Sequence, residues 1–132
     1  MKKELVIKEN QVNSFSVRAR LKSFRYAFEG LSVFFNTQHN ALIHLLMTAL
    51  VFIASVFFNI NKTEAMAVIL ATGFVWSAEL FNTAIEKLAD MVTGEFHPGI
   101  KFIKDVSAAA VLIAAVAAFA TGAIVFLPKI LA

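Results

Sequence analysis

Three long apolar runs, separated by short polar breaks, dominate the sequence. Residues 41–58 are almost continuously apolar, which is about the shortest length that spans a bilayer. Residues 64–91 form a second run, longer than the roughly 20 residues a span needs, so its last turns should leave the hydrocarbon. A third run covers 106–127, led in by residues 100–105 and closed by Pro128. Ahead of them, within residues 14–35, Leu21, Phe24, Phe28, Leu31 and Phe35 recur at steps of three and four, with Arg18, Lys22, Arg25 and Glu29 largely on other faces. That spacing predicts an interfacial amphipathic helix. The expected architecture is an all-α membrane protein, with one surface helix followed by three transmembrane helices. Residues 1–13 show no sustained period and read as a weakly ordered or surface-lying arm. The polar breaks are residues 36–40, a tight turn at 59–63, and a loop bracketed by Gly94, Pro98 and Gly99 that carries Glu95 and His97.

Composition sharpens this picture. Of 132 residues, 59% are hydrophobic and 14 are Phe, more than a soluble core of this size can absorb. The length suits one domain. The absence of Cys excludes disulfides, thiolate metal sites and a Cys nucleophile. Seven of the 12 Lys and Arg residues precede the first apolar run, a placement that fits anionic headgroups or phosphates better than a nucleic-acid groove. With Lys87, Lys101 and Lys104 they put ten basic residues on one side, against Lys62 and Lys129 on the other. The positive-inside rule then places the N-terminus and the 92–105 loop in the cytoplasm, in a multi-pass protein of the cell membrane. A polar start with no A-x-A site after a short apolar core does not fit a cleaved signal peptide, so the mature chain is expected to begin here.

The chemistry concentrates at the end of the second run. On a helix Glu79, Asn82, Glu86 and Asp90 fall at i, i+3, i+7 and i+11, within about 80° of arc. Three acids on one stripe beside hydrocarbon require cations, protons or water close by. Residues 107–110 are small, which lets a neighbouring helix approach where the acids emerge. Carboxylates near a basic residue such as Lys104 suit metal-assisted phosphoryl transfer: acids bind Mg²⁺, the lysine steadies phosphate oxygens, and one acid takes a hydroxyl proton. Neither a G-x-x-x-x-G-K-[ST] loop nor a kinase Gly-rich loop is present. Plainer readings stand beside these: His44 as a core histidine, Asn82 as interhelical glue, Asp90 and Glu95 as solvated charges, and Lys104 with Asp105 as an ordinary ion pair. A proton or cation pathway or a structural assembly protein could use the same acids, but a pathway needs polarity through the full membrane depth. Here polarity clusters at one face of the bilayer.

The segments E-L-F-N-T-A-I-E-K-L-A-D from Glu79, E-F-H-P from Glu95 and K-D-V-S-A-A-A-V from Lys104 resemble the prokaryotic diacylglycerol kinase and undecaprenol kinase family of small membrane lipid kinases, over about residues 18–130. The resemblance implies a homotrimer whose sites are shared between subunits at the cytoplasmic interface. ATP with Mg²⁺ would come from water, and a lipid alcohol from the phospholipid bilayer. It implies Glu79 as general base, Glu86 as metal ligand and Asn82 as an orienter of phosphates. Asp90, Glu95, His97, Lys104 and Asp105 would line the nucleotide side, and Arg20, Lys22 and Tyr26 would be N-terminal nucleotide contacts. Family members usually carry an acid where this chain has Gln38, whose amide oxygen could coordinate Mg²⁺ without adding charge. Asn40 and His44 match the family pattern, and His97-Pro98 with the ending F-L-P-K looks like the undecaprenol kinase branch.

Overall fold

A computed structural model describes residues 16–131 as four helices, with no strand among the described residues. The expected arm at residues 1–13, together with Ser14 and Phe15 of the predicted amphipathic stretch, lies outside the described residues. Helix α1 covers Val17–Thr37, α2 His39–Phe57, α3 Lys62–Val92 and α4 Pro98–Ile130. The chain divides into two compact units, Met1–Val33 and Phe34–Ala132.

In the first unit, α1 exposes Leu21, Phe24 and Phe28, while Arg25 and Glu29 pair one turn apart at 2.7 Å. This exposed apolar stripe is what an interfacial helix presents.

In the second unit, α2, α3 and α4 are each long and apolar enough to cross a membrane, as an all-α membrane protein requires. At about 1.5 Å per residue the 31 residues of α3 and the 33 of α4 run to roughly 46 and 50 Å, well past a hydrocarbon core of about 30 Å. The turn between α2 and α3 is made by Asn59, at φ 48°, which an Asn side chain tolerates better than a bulky one. Asn61 then caps α3. Its side chain accepts from the amides of Thr63 (2.9 Å) and Glu64 (3.0 Å), and the Glu64 carboxylate accepts the Asn61 amide at 2.8 Å, a complete capping box.

Pro98 and Gly99 belong to α4 and not to the loop they were expected to bracket. The reason is local: Pro98 fills the first turn, where a missing N–H costs nothing, and His97 caps the helix by accepting the Gly99 amide on Nδ1 at 3.1 Å. Nor does Pro128 close α4, which runs on to Ile130. In the last turn a proline removes a single donor and keeps a helical φ, and Leu131 still donates to the Leu127 carbonyl at 3.1 Å.

Helices α3 and α4 pack along one stripe each. Val68, Val75, Glu79 and Ala89 are the buried positions of α3, and Ser107, Ala114 and Val125 those of α4. Small residues on α4 bring the two backbones close. At the far end of this pair, Lys129 reaches Glu64 at 3.1 Å. Helix α2 meets α3 through polar contacts: His44 with Glu79, and the Trp76 indole N–H donating to Thr48 at 3.0 Å. Both contacts are antiparallel in register.

Candidate active site

Every acid of the predicted stripe has a partner, and each partner is of a different kind. Glu79 lies on the packing stripe of α3, 5% exposed, with Oε1 at 2.6 Å from His44 Nε2. His44 is its sole hydrogen-bonding partner among the described residues, so Oε2 has none. Since no sealed side-chain oxygen or nitrogen among those residues lacks a partner, Oε2 opens to the outside of the chain. Burying a carboxylate without a full set of donors is expensive. A helix that needed only packing at this position would carry Val or Ala, as it does at Val68, Val75 and Ala89.

One turn on, Asn82 links α3 to α4. The buried Ser107 hydroxyl donates to Asn82 Oδ1 at 2.7 Å, which leaves the Asn82 amide N–H to donate to Glu86 Oε1 at 3.2 Å. Asn82 is thus the interhelical contact of the plainer reading and also the support of an acid. Asp90 pairs with Lys104, and Asp105 with Lys101 one turn away on α4. The adjacent pair of Lys104 with Asp105 does not form, because neighbours in a helix point about 100° apart, whereas Lys104 faces α3.

Asp90, Glu95, His97, Lys101, Lys104 and Asp105 line an open cavity of ≈ 410 Å³ around the α3–α4 loop. It therefore gathers all five residues expected to line the nucleotide side, while Asn82, expected to orient phosphates, stays on the stripe. His97 does two things there: its Nδ1 is committed to the cap, which puts the ring proton on Nε2. A Cβ on Gly99 would stand 3.2 Å from that ring, so glycine lets the imidazole lie against the helix start. A second hollow, of ≈ 690 Å³ and apolar, lies between α2, α3 and α4, with His44, Thr48 and Trp76 among its walls and Phe119 and Phe126 opposite. It adjoins the group that holds Glu79.

Gln38 caps the start of α2 without a side-chain capping bond, its amide nitrogen 3.4 Å from Thr37 Oγ1. The antiparallel register set by His44 with Glu79 and by Thr48 with Trp76 puts Gln38 level with Glu86. Six residues back from His44 and seven on from Glu79 are rises of about 9 and 10.5 Å in the same direction. Arg20, Lys22 and Tyr26 lie on α1 in the first unit. Lys22 and Tyr26, one turn apart, share a face, but Arg20 is about 200° around from Lys22, so a straight helix cannot aim all three at one ligand.

Residues 25–126 match the family described as prokaryotic diacylglycerol kinase. The chain belongs to that family. The family's named activity is that of a lipid kinase, which makes its members enzymes. A diacylglycerol kinase of Synechocystis is 38% identical over 112 residues, 84% of this chain but 64% of that protein, so the match spans less than two thirds of that relative. An undecaprenol kinase of Bacillus subtilis is 35% identical over 121 residues, 92% of this chain and 94% of its own.

The sequence located the acidic stripe but missed three members of the site: the His44–Glu79 pair, Ser107 as the group that orients Asn82, and Lys101 in the cavity. The small-residue run at 107–110 marked where α4 comes close, and a hydroxyl in such a run facing an Asn was the available signal for Ser107.

Proposed function

We propose that this protein is an ATP-dependent kinase of a membrane lipid alcohol, working where α3 emerges from the cytoplasmic face of the membrane. The observation that carries the reading is Glu79: a buried carboxylate with one oxygen held and the other open, on the same stripe as Glu86 and the Asp90–Lys104 cavity. The lipid hydroxyl approaches Oε2. Its O–H bond breaks toward Glu79, its oxygen bonds the γ-phosphorus, and the bond from that phosphorus to the bridging oxygen breaks, releasing ADP. Glu79 then gives the proton to water. The cavity takes the nucleotide, with Lys104 steadying phosphate oxygens and His97 Nε2–H as a further donor. The apolar groove beside His44 and Trp76 receives the lipid chain next to the base.

Mg²⁺ supplies charge neutralisation on the phosphates when bound. Among the described residues no three of His, Asp and Glu gather into a metal cage. That donor set still fits, because Mg²⁺ in such reactions is typically held by one or two carboxylates plus phosphates and water. Among the described residues Glu86 Oε2 has no protein partner, and Gln38 at the same level offers an amide oxygen. These two would hold the ion.

Three spans are too few to enclose a site, so the working unit is an oligomer, and the family resemblance makes it a homotrimer with sites shared between neighbours. Ten of the 12 basic residues sit on the side of the acidic loop, which supports a cytoplasmic site and N-terminus in the cell membrane. The exposed apolar stripe of α1 supports its lying at the interface. The near end-to-end match to the undecaprenol kinase favours undecaprenol over diacylglycerol. Purified protein in mixed micelles with labelled ATP, offered both lipids side by side, tests the reading: phosphorylated lipid is expected, with undecaprenol preferred, and no product from either would refute it.

A further inference from the structure

We propose that His44 is a positioning residue of the reaction: its Nε2–H holds Oε1 of Glu79 and so turns Oε2 toward the lipid hydroxyl. The inference rests on the reading of Glu79 as the base. Terminal carboxylate torsions are broad, so an unheld Glu would present either oxygen over a wide range of angles. At 2.6 Å, as the sole hydrogen-bonding partner of the buried Glu79 side chain among the described residues, His44 removes that freedom. It also supplies the charge-assisted hydrogen bond that a desolvated carboxylate requires.

The imidazole is itself held. Its ring meets the Trp76 ring edge-on at 6.1 Å. The Thr48 hydroxyl accepts the Trp76 indole N–H at 3.0 Å and donates to the His44 carbonyl at 2.7 Å. Phe34 and Phe35 close on the far side of Trp76, with centroids at 6.3 and 5.4 Å. Two aromatic rings, an indole and a hydroxyl are thus spent on fixing one histidine. A histidine present only to fill the core would satisfy its ring with any acceptor and would not need to sit opposite the acid. In the reaction the lipid proton goes to Oε2 and the lipid electron pair to phosphorus, while the His44–Oε1 bond persists throughout.

The single Trp of the chain makes the arrangement measurable, because Trp76 touches His44 and reports the cluster without any substrate. His44→Leu, His44→Gln and Glu79→Gln are assayed in mixed micelles for kcat and for KM of ATP and lipid, with Trp76 emission recorded on each. His44→Leu should lower kcat by about 10- to 100-fold, with both KM values near wild type, as misorientation of a reacting group does. His44→Gln, whose amide can donate to the same oxygen, should recover most of that loss. Native emission with kcat within about twofold of wild type in His44→Leu overturns the proposal, and so does a His44→Gln no better than His44→Leu when both emit as wild type. Should His44→Leu misfold, His44→Gln decides alone, and a kcat loss above about tenfold with native emission overturns it. An active Glu79→Gln instead refutes the base and the inference with it. An inactive Glu79→Gln beside an unaffected His44→Leu refutes the inference alone.

Discussion

Two glutamates on α3, fifteen residues apart, are held by different surroundings: one belongs to a helix cap, and the other is the proposed base. Glu64 accepts a backbone amide in the capping box and meets Lys129 across the bundle, both at Oε2, so a helix start and a cation account for its charge. Glu79 is the more buried, yet among the described residues it meets neither a backbone amide nor a lysine or arginine, only the imidazole of His44. A cap and a cation explain the first as part of the fold, whereas a buried acid held by a single imidazole is a candidate for use in function.

The strongest way to break this comparison is to neutralise each acid in turn. Glu79→Gln keeps the shape and removes the base, so turnover should fall about 10²- to 10⁴-fold while ATP affinity stays near wild type. Glu64→Gln should leave both kinetic constants unchanged. Steady-state kinetics on the two variants check this, and the contrast fails if Glu79→Gln keeps more than about a tenth of wild-type turnover.

Subunit mixing extends the comparison from one chain to the assembly. An inactive Glu79→Gln protein mixed with one inactivated at Lys104 should recover activity if the base and the nucleotide side come from different subunits. For random exchange at a two-subunit site, about a quarter of wild-type activity is expected. No recovery after verified exchange means that each site is built within one chain.

Much of this contrast is visible in the sequence, and the reason lies in the range of the interactions. Helix periodicity is local, so the stripe from Glu79 to Asp90 and the amphipathic pattern of α1 follow from spacing alone. Pairing across helices is not local. His44 and Glu79 are 35 residues apart, Ser107 and Asn82 25, and no pattern within either helix announces the partner. The same limit made Lys104 look like the partner of its neighbour Asp105 when it faces Asp90 on α3. Pro128 misled differently: it removes only its own bond to the Ile124 carbonyl, and the helix still closes through the Leu131 amide on the Leu127 carbonyl.

A smaller effect is expected at Gln38. A carboxylate there adds an opposite charge at contact distance from a bound Mg²⁺, but ion desolvation cancels much of the gain, leaving about 1 to 2 kcal/mol. Gln38→Glu should therefore lower the Mg²⁺ concentration for half-maximal activity about tenfold at fixed ATP, and Gln38→Ala should raise it only modestly, because on the proposed reading Glu86 and the phosphates would carry most of the binding. A Mg²⁺ titration decides it. Either an unmoved titration for Gln38→Glu or complete inactivity of Gln38→Ala would mean that Gln38 is no metal ligand, despite standing level with Glu86.

The smallest effect belongs to the structural end of α3. Asn61 satisfies two amides of the first turn, at 2.9 and 3.0 Å, and its own N–H is returned to Glu64. Replacing it with Ala removes the side-chain half of the capping box, and losses of this kind cost about 1 kcal/mol. The neighbouring Glu64–Lys129 contact survives that change and keeps α3 pinned to the end of α4. Asn61→Ala should thus lower the unfolding midpoint slightly in a detergent titration, with kcat and both KM values unmoved. A kinetic effect would show that strain at the capped end travels along α3 to Glu79, and the two ends of the helix would then be one device. An unmoved rate with a lowered midpoint means that the cap at Asn61 holds the end of α3 without bearing on turnover.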